Sequence, residues 1–450
     1  MNLYKFIRIF FGLILVFGIK LILGKSFTGD KLLIVHNSDI SYNDFSLFFD
    51  SFKIRGYNLT FKDPEIDSIS LFKYEKRIYD HLILFLTKEK NIKIEYYLPN
   101  SKIYEFIDQG GNILIATLST APKNIRNFTS ELGIYLAEQD TLVVDHFSYD
   151  KSDSQKHSLL LIDNFKKNNY VLSDEVIKGP PILYRGISHF LGNGQLIVPI
   201  LTTGRTAYSY NTKDESNFVK KPWVAGSQTY LITGFQARNN ARIIVTGSIE
   251  MFSNNFFNSY FKKNLKFGNQ KFAEDITEWL FQEKSVLKVV SIKHNLAHKT
   301  LDTNPPNIYK VKDNVTFEIT LSQYKNGLWI PFVVSDIQLE LIMLDPYIRT
   351  VLKETSRIPN SSIYSTTFSL PDHYGVFHFK VNYKRPGLSY IEERSTVTIR
   401  HYRHDEFPRY LFVAFPYYVG ATTTIFSFLF FCFIWLFDIS LNKKVMKKNQ

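Results

Sequence analysis

The chain carries an uncharged apolar run near its carboxyl end, from Tyr410 to Phe437. About 20 helical residues cross the hydrocarbon core of a bilayer, so this run is long enough to span a membrane with some tilt. Tyr417 and Tyr418 suit one membrane interface and Trp435 suits the other. The small and hydroxylated residues Gly420 to Thr424 are typical of helices that pack against other helices in lipid. We therefore predict one transmembrane helix over residues 410–437.

A second, shorter apolar run lies at the amino end. It extends from Ile9 to Ile19 behind a basic segment, and Lys20 interrupts it. This pattern predicts a signal peptide over residues 1–24, with an uncleaved anchor as the alternative. Lysines follow the carboxyl-terminal run directly, which by the positive-inside rule predicts a luminal body and a cytosolic tail over residues 438–450.

The last four residues predict the organelle. Lys447 and Lys448 are followed by Asn449 and Gln450, an arrangement that resembles the dilysine retrieval signal of type I reticulum membrane proteins. We therefore expect a single-pass type I protein of the endoplasmic reticulum membrane with its bulk in the lumen. A luminal body would also expose its Asn-x-Ser/Thr sequons to glycosylation, and these begin at Asn58, Asn127, Asn314 and Asn360.

Charge and cysteine content exclude some functions. The net charge of +12 would suit a nucleic-acid partner, but about half of it flanks the two apolar runs. The middle of the chain lacks a basic stripe with regular aromatic interleaving, so we expect a mildly basic solvated surface and no nucleic-acid binding. Cys432 is the only cysteine and lies inside the membrane run, which rules out an intrachain disulfide and a cysteine nucleophile in the body.

The first part of the body alternates between strand and helix patterns. Apolar runs at Lys31–His36, Tyr79–Leu86 and Asn112–Leu118 predict buried strands, and Asp44–Arg55 has helical spacing of phenylalanines. Continuous apolar strands that alternate with helices are typical of a parallel sheet covered on both faces. We predict a Rossmann-like, amidotransferase-like α/β domain with a mixed extension, together covering residues 25–284.

The pattern changes after Val286. Strand-length segments that alternate or run apolar are separated by turn residues, and no convincing helix intervenes. This is typical of an antiparallel β-sandwich of immunoglobulin-like type, which we predict over residues 285–405. Its predicted strands are Asn314–Leu321, Ile337–Leu344, Ile363–Leu370, Gly375–Tyr383 and Ser395–Arg400.

Motifs for catalysis, nucleotides or metals are weak. The first predicted strand ends in His36-Asn37-Ser38-Asp39, without the glycines that a dinucleotide-binding turn requires. There is also no Gly-x-Ser-x-Gly elbow. The possible pairs are His294 with His298, which could share a helical face, His401 with His404, and Asp145 with His146. Adjacent strand residues point to opposite faces, and we interpret the histidines as solvated or capping. We expect no catalytic residue, metal or cofactor.

One stretch is more specific. Gly234 to Arg242 reads Gly-Phe-Gln-Ala-Arg-Asn-Asn-Ala-Arg and is followed by Gly247-Ser248. It resembles the signature of the forty-eight-kilodalton subunits of oligosaccharyltransferase. Further stretches resemble that family in the same order, at Val143–His146, Leu183–Gly186, Asn326–Phe332, Asp336–Glu340, Asp345–Thr350, Leu370–Phe377 and Pro416–Tyr418.

The resemblance implies a non-catalytic accessory subunit. The complex transfers a preassembled oligosaccharide from dolichyl pyrophosphate to Asn in Asn-x-Ser/Thr of nascent proteins. Catalysis belongs to a separate multispan subunit, which is one implied partner beside ribophorin-like and defender-against-death-like accessory subunits. A luminal glycan-binding module and a stand-alone luminal hydrolase remain alternatives. The candidate interface residues are Gln236, Arg238, Asn239, Asn240, Arg242, Gly247 and Ser248.

The donor-rich side chains of the signature have two interpretations. Arg238, Asn239, Asn240 and Arg242 could fix a turn through hydrogen bonds to the backbone, since Asn-Asn before a strand is ordinary turn chemistry. They could instead contact a partner subunit or the lipid-linked sugar.

Overall fold

A computed structural model describes residues 26–87, 92–153, 157–211, 222–262, 265–298, 305–407 and 413–446. The predicted signal peptide over residues 1–24 lies outside the described residues. The same is true of the predicted retrieval lysines Lys447 and Lys448.

The amino-terminal domain contains helices and strands in alternation. Its helices are α1 (Ser46–Ile54), α2 (Ile92–Tyr97), α3 (Asn100–Asp108), α4 (Lys123–Glu131), α5 (Asp174–Ile177), α6 (Asn254–Asn258) and α7 (Asn269–Leu280). Its strands are β1 (Lys31–His36), β2 (Asn58–Lys62), β3 (Phe72–Lys73), β4 (Lys76–Arg77), β5 (His81–Leu86), β6 (Asn112–Thr117), β7 (Ile134–Leu136), β8 (Thr141–Val144), β9 (Leu160–Ile162), β10 (Ile182–Tyr184), β11 (His189–Leu191), β12 (Ile197–Thr202), β13 (Tyr208–Asn211), β14 (Tyr230–Gln236), β15 (Arg242–Thr246), β16 (Tyr260–Lys262) and β17 (Leu265–Lys266).

A nine-stranded sheet forms the centre of this domain. Its order is β2-β1-β5-β6-β15-β14-β11-β7, with β12 also paired to β14. The five strands from β2 to β15 are parallel, which confirms the predicted α/β class. The remaining pairings, of β14 with β15, β11 and β12 and of β11 with β7, are antiparallel.

Both faces of the sheet are covered. Leu32 and Ile34 of β1 belong to one buried cluster and Leu33 and Val35 to another, as the alternation of side chains along a strand requires. Helices α1 and α7 cover the first face, and α3 and α4 cover the second. Each large apolar side chain that is fully buried, such as Phe52, contributes about 1.5–3 kcal/mol to stability.

Two glycines, Gly110 and Gly111, end helix α3. The Gly110 N–H donates to the Ile107 carbonyl at 2.8 Å and the Gly111 N–H to the Phe106 carbonyl at 2.8 Å. Gly110 has a φ of +84°, so the pair forms a Schellman motif. A β-carbon at Gly111 would lie 2.2 Å from the Phe106 ring. This close packing allows β6 to begin immediately after the helix.

The second domain is a β-sandwich, as predicted. One sheet has the order β18-β20-β25-β24 with β21 beside β20, and the other has the order β19-β27-β26-β22-β23. Phe317 and Phe379, from opposite sheets, are both buried in the common core. The strands are β18 (Lys284–Leu296), β19 (Ile308–Lys310), β20 (Asn314–Lys325), β21 (Leu328–Pro331), β22 (Gln338–Ile342), β23 (Pro346–Val351), β24 (Lys353–Ile358), β25 (Ser361–Ser369), β26 (Gly375–Tyr383) and β27 (Ile391–Arg400).

One strand pair of the sandwich departs from the antiparallel expectation. Strand β19 pairs with β27 in parallel. The reason is topological, since the chain passes from β18 in one sheet to β19 in the other instead of turning back in a hairpin.

The carboxyl-terminal helix α8 extends over Phe415–Met446. Within the described residues it is the one helix long and apolar enough to cross a membrane, over Phe415–Asp438, and none of that segment is buried in the body. It begins five residues after the predicted start, and residues 408–412 are not described. It also continues into the predicted tail. A single apolar helix after a large folded body fits a single-pass membrane protein.

Candidate functional site

The signature stretch forms the turn between β14 and β15. The Asn240 N–H donates to the Ala237 carbonyl at 3.0 Å, and the Ala237 N–H donates to the Ala241 carbonyl at 2.8 Å. Asn240 has a φ of +68°, a left-handed conformation that asparagine tolerates better than most residues. The Asn239 side-chain amide donates to the Ile107 carbonyl at the end of α3, at 2.7 Å. The two asparagines therefore shape the turn and fasten it to a helix.

Gln236 and Asn240 are two side chains of this hairpin that reach the second domain. They meet the β26–β27 loop, which we define as residues 384–390. The buried Gln236 amide donates to the Leu388 carbonyl at 2.6 Å. The Asn240 amide oxygen accepts from the Tyr390 N–H at 2.6 Å, and its nitrogen donates to the Tyr390 carbonyl at 3.4 Å. Asn240 thus pairs with the loop backbone as a neighbouring strand would.

Arg242 is the centre of the contact between the domains. Its buried guanidinium donates to the carbonyls of Trp279 at 2.6 Å, Lys284 at 2.9 Å and Ser285 at 2.7 Å. It also donates to the Ser389 hydroxyl at 3.4 Å and lies 4.9 Å from the centroid of the Trp279 ring. Burial lowers the pKa of Arg242 to about 9, so the group stays cationic at neutral pH. Among the residues that the structure describes, carbonyl dipoles rather than a carboxylate compensate its charge.

Trp279 completes the contact from helix α7. Its indole N–H donates to the Gly387 carbonyl of the β26–β27 loop at 2.8 Å, and the side chain is fully buried. Gly234 makes room for it, because a β-carbon there would lie 3.0 Å from the indole ring. We call Gln236, Asn240, Arg242 and Trp279, together with the β26–β27 loop, the domain junction.

Sequence reasoning missed part of this network. The Gln282 amide donates to the Asn112 side-chain oxygen at 3.1 Å and to the Asn240 carbonyl at 3.0 Å. The same Asn112 oxygen accepts from the backbone N–H of Arg242 at 2.9 Å. Trp279 was also missed. Its position fits the apolar pattern of an ordinary helix, and no local signal shows that its indole N–H reaches another domain.

A buried ion pair supports the segment that connects the domains. The Arg55 guanidinium donates to a Glu283 carboxylate oxygen at 2.8 Å, and the Tyr57 hydroxyl donates to the same oxygen at 2.7 Å. Burial and the neighbouring carboxylate raise the pKa of Tyr57. The Glu283 carbonyl accepts from the Asn326 N–H of the β-sandwich at 3.0 Å. These contacts therefore hold Glu283, the residue directly before strand β18, in place.

Gly247 and Ser248 lie away from the junction, at the opposite end of β15. The Gly247 carbonyl accepts from the Ile187 N–H at 2.9 Å. A β-carbon at Gly247 would lie 2.1 Å from the Ile187 carbonyl, and one at Gly186 would lie 2.1 Å from the Gly247 carbonyl. Ser248 accepts from the Met251 N–H at 3.3 Å. The stretches Leu183–Gly186 and Gly247-Ser248, which both resemble the family, are thus in contact through closely packed backbones.

Arg238 has a different environment from the rest of the signature. It is exposed and lines a cleft of about 1030 Å³ between the domains, together with Phe235, Lys384, Arg385 and Tyr390. Among the described residues, no hydrogen-bond or ion-pair partner is found for its guanidinium. We call this space the junction cleft. The structure thus places five of the seven signature candidates at or beside the contact between the domains.

The weak candidates for catalysis or metal binding lie apart. The suggestion that His294 shares a helical face with His298 is wrong, because His294 lies in strand β18. Its ring nitrogens contact the hydroxyls of Tyr309 at 2.7 Å and Ser395 at 2.9 Å, and burial lowers its pKa to about 4. Among the described residues, no three His, Cys, Asp or Glu side chains form a set that could hold a metal ion.

The other two pairs have ordinary structural contacts. Asp145 accepts from the Thr206 hydroxyl at 2.8 Å, whereas the exposed His146 contacts Tyr208 at 2.9 Å. The His401 ring lies 4.4 Å from that of Tyr374, and His404 is exposed.

The four predicted glycosylation sites all have exposed asparagines. Asn58 begins β2, Asn127 lies on α4, Asn314 begins β20 and Asn360 lies in the turn between β24 and β25. A glycan at any of them would extend into solvent.

Fold and junction define a class: a membrane-anchored protein with two extramembrane domains joined by a buried hydrogen-bond network. The family model described as the OST48 N-terminal domain matches residues 23–283, and the OST48 middle domain matches residues 296–439. The chain therefore belongs to the OST48 family.

Two curated relatives are similar over almost their whole length. The chain is 38% identical to the dolichyl-diphosphooligosaccharide–protein glycosyltransferase subunit wbp1 of Schizosaccharomyces pombe, over 89% of this chain and 90% of that one. It is 36% identical to the 48 kDa subunit of the same enzyme from Danio rerio, over 91% of each. Among solved structures, a glutamine amidotransferase from Thermotoga maritima matches 49% of this chain and 76% of its own with 10% identity. Its TM-score of 0.27 is too low to support an argument.

Proposed function

We propose that this chain is a non-catalytic accessory subunit of oligosaccharyltransferase. In this role it supports transfer of the dolichyl-pyrophosphate-linked oligosaccharide to Asn in Asn-x-Ser/Thr of nascent proteins. Its partners are the catalytic multispan subunit and the ribophorin-like and defender-against-death-like accessory subunits. The names of the two curated relatives support membership in this complex.

The observation that carries the accessory role is the use of the signature residues. Gln236, Asn240 and Arg242 donate to or accept from backbone groups of the second domain or of the segment that leads into it. These side chains are therefore occupied in holding two domains in one orientation. Such an arrangement suits a subunit that supplies a fixed surface to an assembly.

The proposed location follows from the membrane helix and the chain ends. Helix α8 anchors the chain, the lysines after the span favour a cytosolic tail, and the body then lies in the lumen of the endoplasmic reticulum. Both the lipid-linked donor and the acceptor sequons are used in that compartment, so the body is on the appropriate side.

Isolation of the chain from membranes tests the proposal. A tagged full-length chain, solubilised in mild detergent, should bring down the multispan transferase subunit in a fixed ratio. A matched chain that ends at residue 407 lacks α8 and should leave the membrane fraction on alkaline extraction. Recovery of the full-length chain as a lone monomer would contradict the proposed role. Cleavage of the body by protease outside sealed microsomes would contradict the location.

A further inference from the structure

The junction cleft lies beside the signature hairpin and is formed by both domains. Residues 194–196 before β12, together with Phe235 and Arg238, line one side. The other side consists of residues 384–386 with Tyr390 and Glu392. Its volume of about 1030 Å³ lies just above the range for small-molecule sites, about 300–1,000 Å³. The cleft therefore has room for a ligand larger than a typical small molecule.

Cations predominate around the cleft. Lys384 pairs with Glu392 at 3.0 Å, and Arg385 pairs with Asp336 at 2.8 Å. Glu392 is further neutralised by two cations on the outer face of the sandwich, Lys380 at 3.6 Å and Arg394 at 2.6 Å. The two carboxylates are thus matched within the chain, and Arg238 adds a charge without a partner among the described residues.

The backbone of Arg238 is held in place before any ligand arrives. It occupies the turn whose next two residues are held by hydrogen bonds, Asn239 to α3 and Asn240 to the Tyr390 backbone. The turn itself therefore need not become ordered on binding, and a guanidinium can hold a carboxylate through two parallel hydrogen bonds.

We propose that the junction cleft binds an acidic, extended polypeptide segment of a neighbouring subunit of the complex. A carboxylate of that segment pairs with Arg238, and its backbone lies against Phe235, Pro386 and Tyr390. Since it needs a neighbouring subunit, this proposal rests on the proposed function.

The charge pattern favours a carboxylate over the other anions of the compartment. A pyrophosphate group would need several cations that are not already paired, whereas Lys384 and Arg385 each have a carboxylate partner. A neutral glycan would leave the charge of Arg238 unmatched. One side-chain carboxylate matches the Arg238 guanidinium, which has no partner among the described residues.

Zero-length cross-linking of the intact complex in mild detergent tests this proposal. A water-soluble carbodiimide joins lysine amines to carboxylates in contact, and mass spectrometry identifies the joined peptides. Lys384 is half exposed and 3.0 Å from Glu392, so the intrachain product provides an internal control for its reactivity. We expect a second product that joins Lys384 to an Asp or Glu of another subunit.

Charge reversal supplies the specificity control. Arg238→Glu should reduce the interchain product about tenfold while the intrachain product stays constant, since a like charge then faces the segment. Arg205→Glu alters another exposed arginine of the same domain, outside the cleft, and should leave both products unchanged. An intact complex that yields only the intrachain product overturns the proposal, as does an interchain product that Arg238→Glu does not reduce. If the proposed function itself fails, no complex is recovered to cross-link.

Discussion

The clearest quantitative prediction concerns Arg242→Ala at the domain junction. The substitution removes three short hydrogen bonds from a buried cation to carbonyl oxygens, at 2.6, 2.9 and 2.7 Å. A buried acceptor left without a donor costs about 1–3 kcal/mol, and the cavity left by a large buried side chain adds to that cost. Two of the three acceptors keep a backbone donor, Gln282 N–H on the Trp279 carbonyl and Ser389 N–H on the Ser285 carbonyl. From the lost hydrogen bonds and the cavity together we expect a cost of about 3 kcal/mol.

Urea unfolding of the purified full-length chain in detergent measures this effect. Tryptophan fluorescence reports on the junction because Trp279 is fully buried there. The matched control is Arg238→Ala in the same hairpin, an exposed arginine without a described partner, which should change the free energy of unfolding by no more than about 0.5 kcal/mol. The reasoning is refuted if Arg242→Ala costs less than about 1 kcal/mol. Equal losses for the two variants would refute it as well.

Three further outcomes are expected. Gly234→Val should displace the Trp279 indole, because the new β-carbon lies 3.0 Å from that ring. We expect a loss of about 1–3 kcal/mol in the free energy of unfolding and a red shift of the fluorescence emission. Unchanged emission would contradict this packing. Burial lowers the pKa of His81 to about 3 and that of His294 to about 4. As the pH drops from about 6.5 towards those values, the two histidines bind protons in the unfolded state and remain neutral in the folded state. The free energy of unfolding therefore falls over this range of pH. His294→Gln should reduce this slope in denaturant titrations by up to about 1.4 kcal/mol per pH unit, and an unaltered slope would count against a neutral buried ring. Asn360→Gln should remove one glycan, so that the untreated variant migrates faster than the wild type on a gel and the two migrate alike after endoglycosidase treatment. Identical mobility of the untreated proteins would show that this sequon is unused.

The class of fold could be predicted where buried strands produce a local pattern of apolar residues in the sequence. Strands β1, β5 and β6 are apolar on both faces, and helices separate them, so the parallel half of the sheet followed from the pattern. Strands β7 and β11 have three residues each and are held by pairing with distant partners, which no local periodicity reveals. Strand β24 is polar and exposed at a sheet edge, so it lacks the alternation that would identify it.

The junction was predictable only as far as its turn. Two consecutive asparagines before an apolar strand indicate turn chemistry, and Asn239 and Asn240 do form the turn. The partner of Asn240 is Tyr390, which lies 150 residues further along the chain. A contact between residues so far apart depends on how the two domains pack together. Neither segment contains a local sequence pattern that identifies the other as its partner.

The most direct test of the account measures assembly and catalysis separately for Gln236→Ala/Asn240→Ala. These substitutions remove hydrogen bonds across the domain junction and do not replace Arg238, which lines the junction cleft. The assay is oligosaccharide transfer to an acceptor peptide, divided by the amount of intact complex isolated. We expect less assembled complex with unchanged transfer per complex, because the signature holds the body together and takes no part in the reaction. Full assembly with strongly reduced transfer per complex would contradict it.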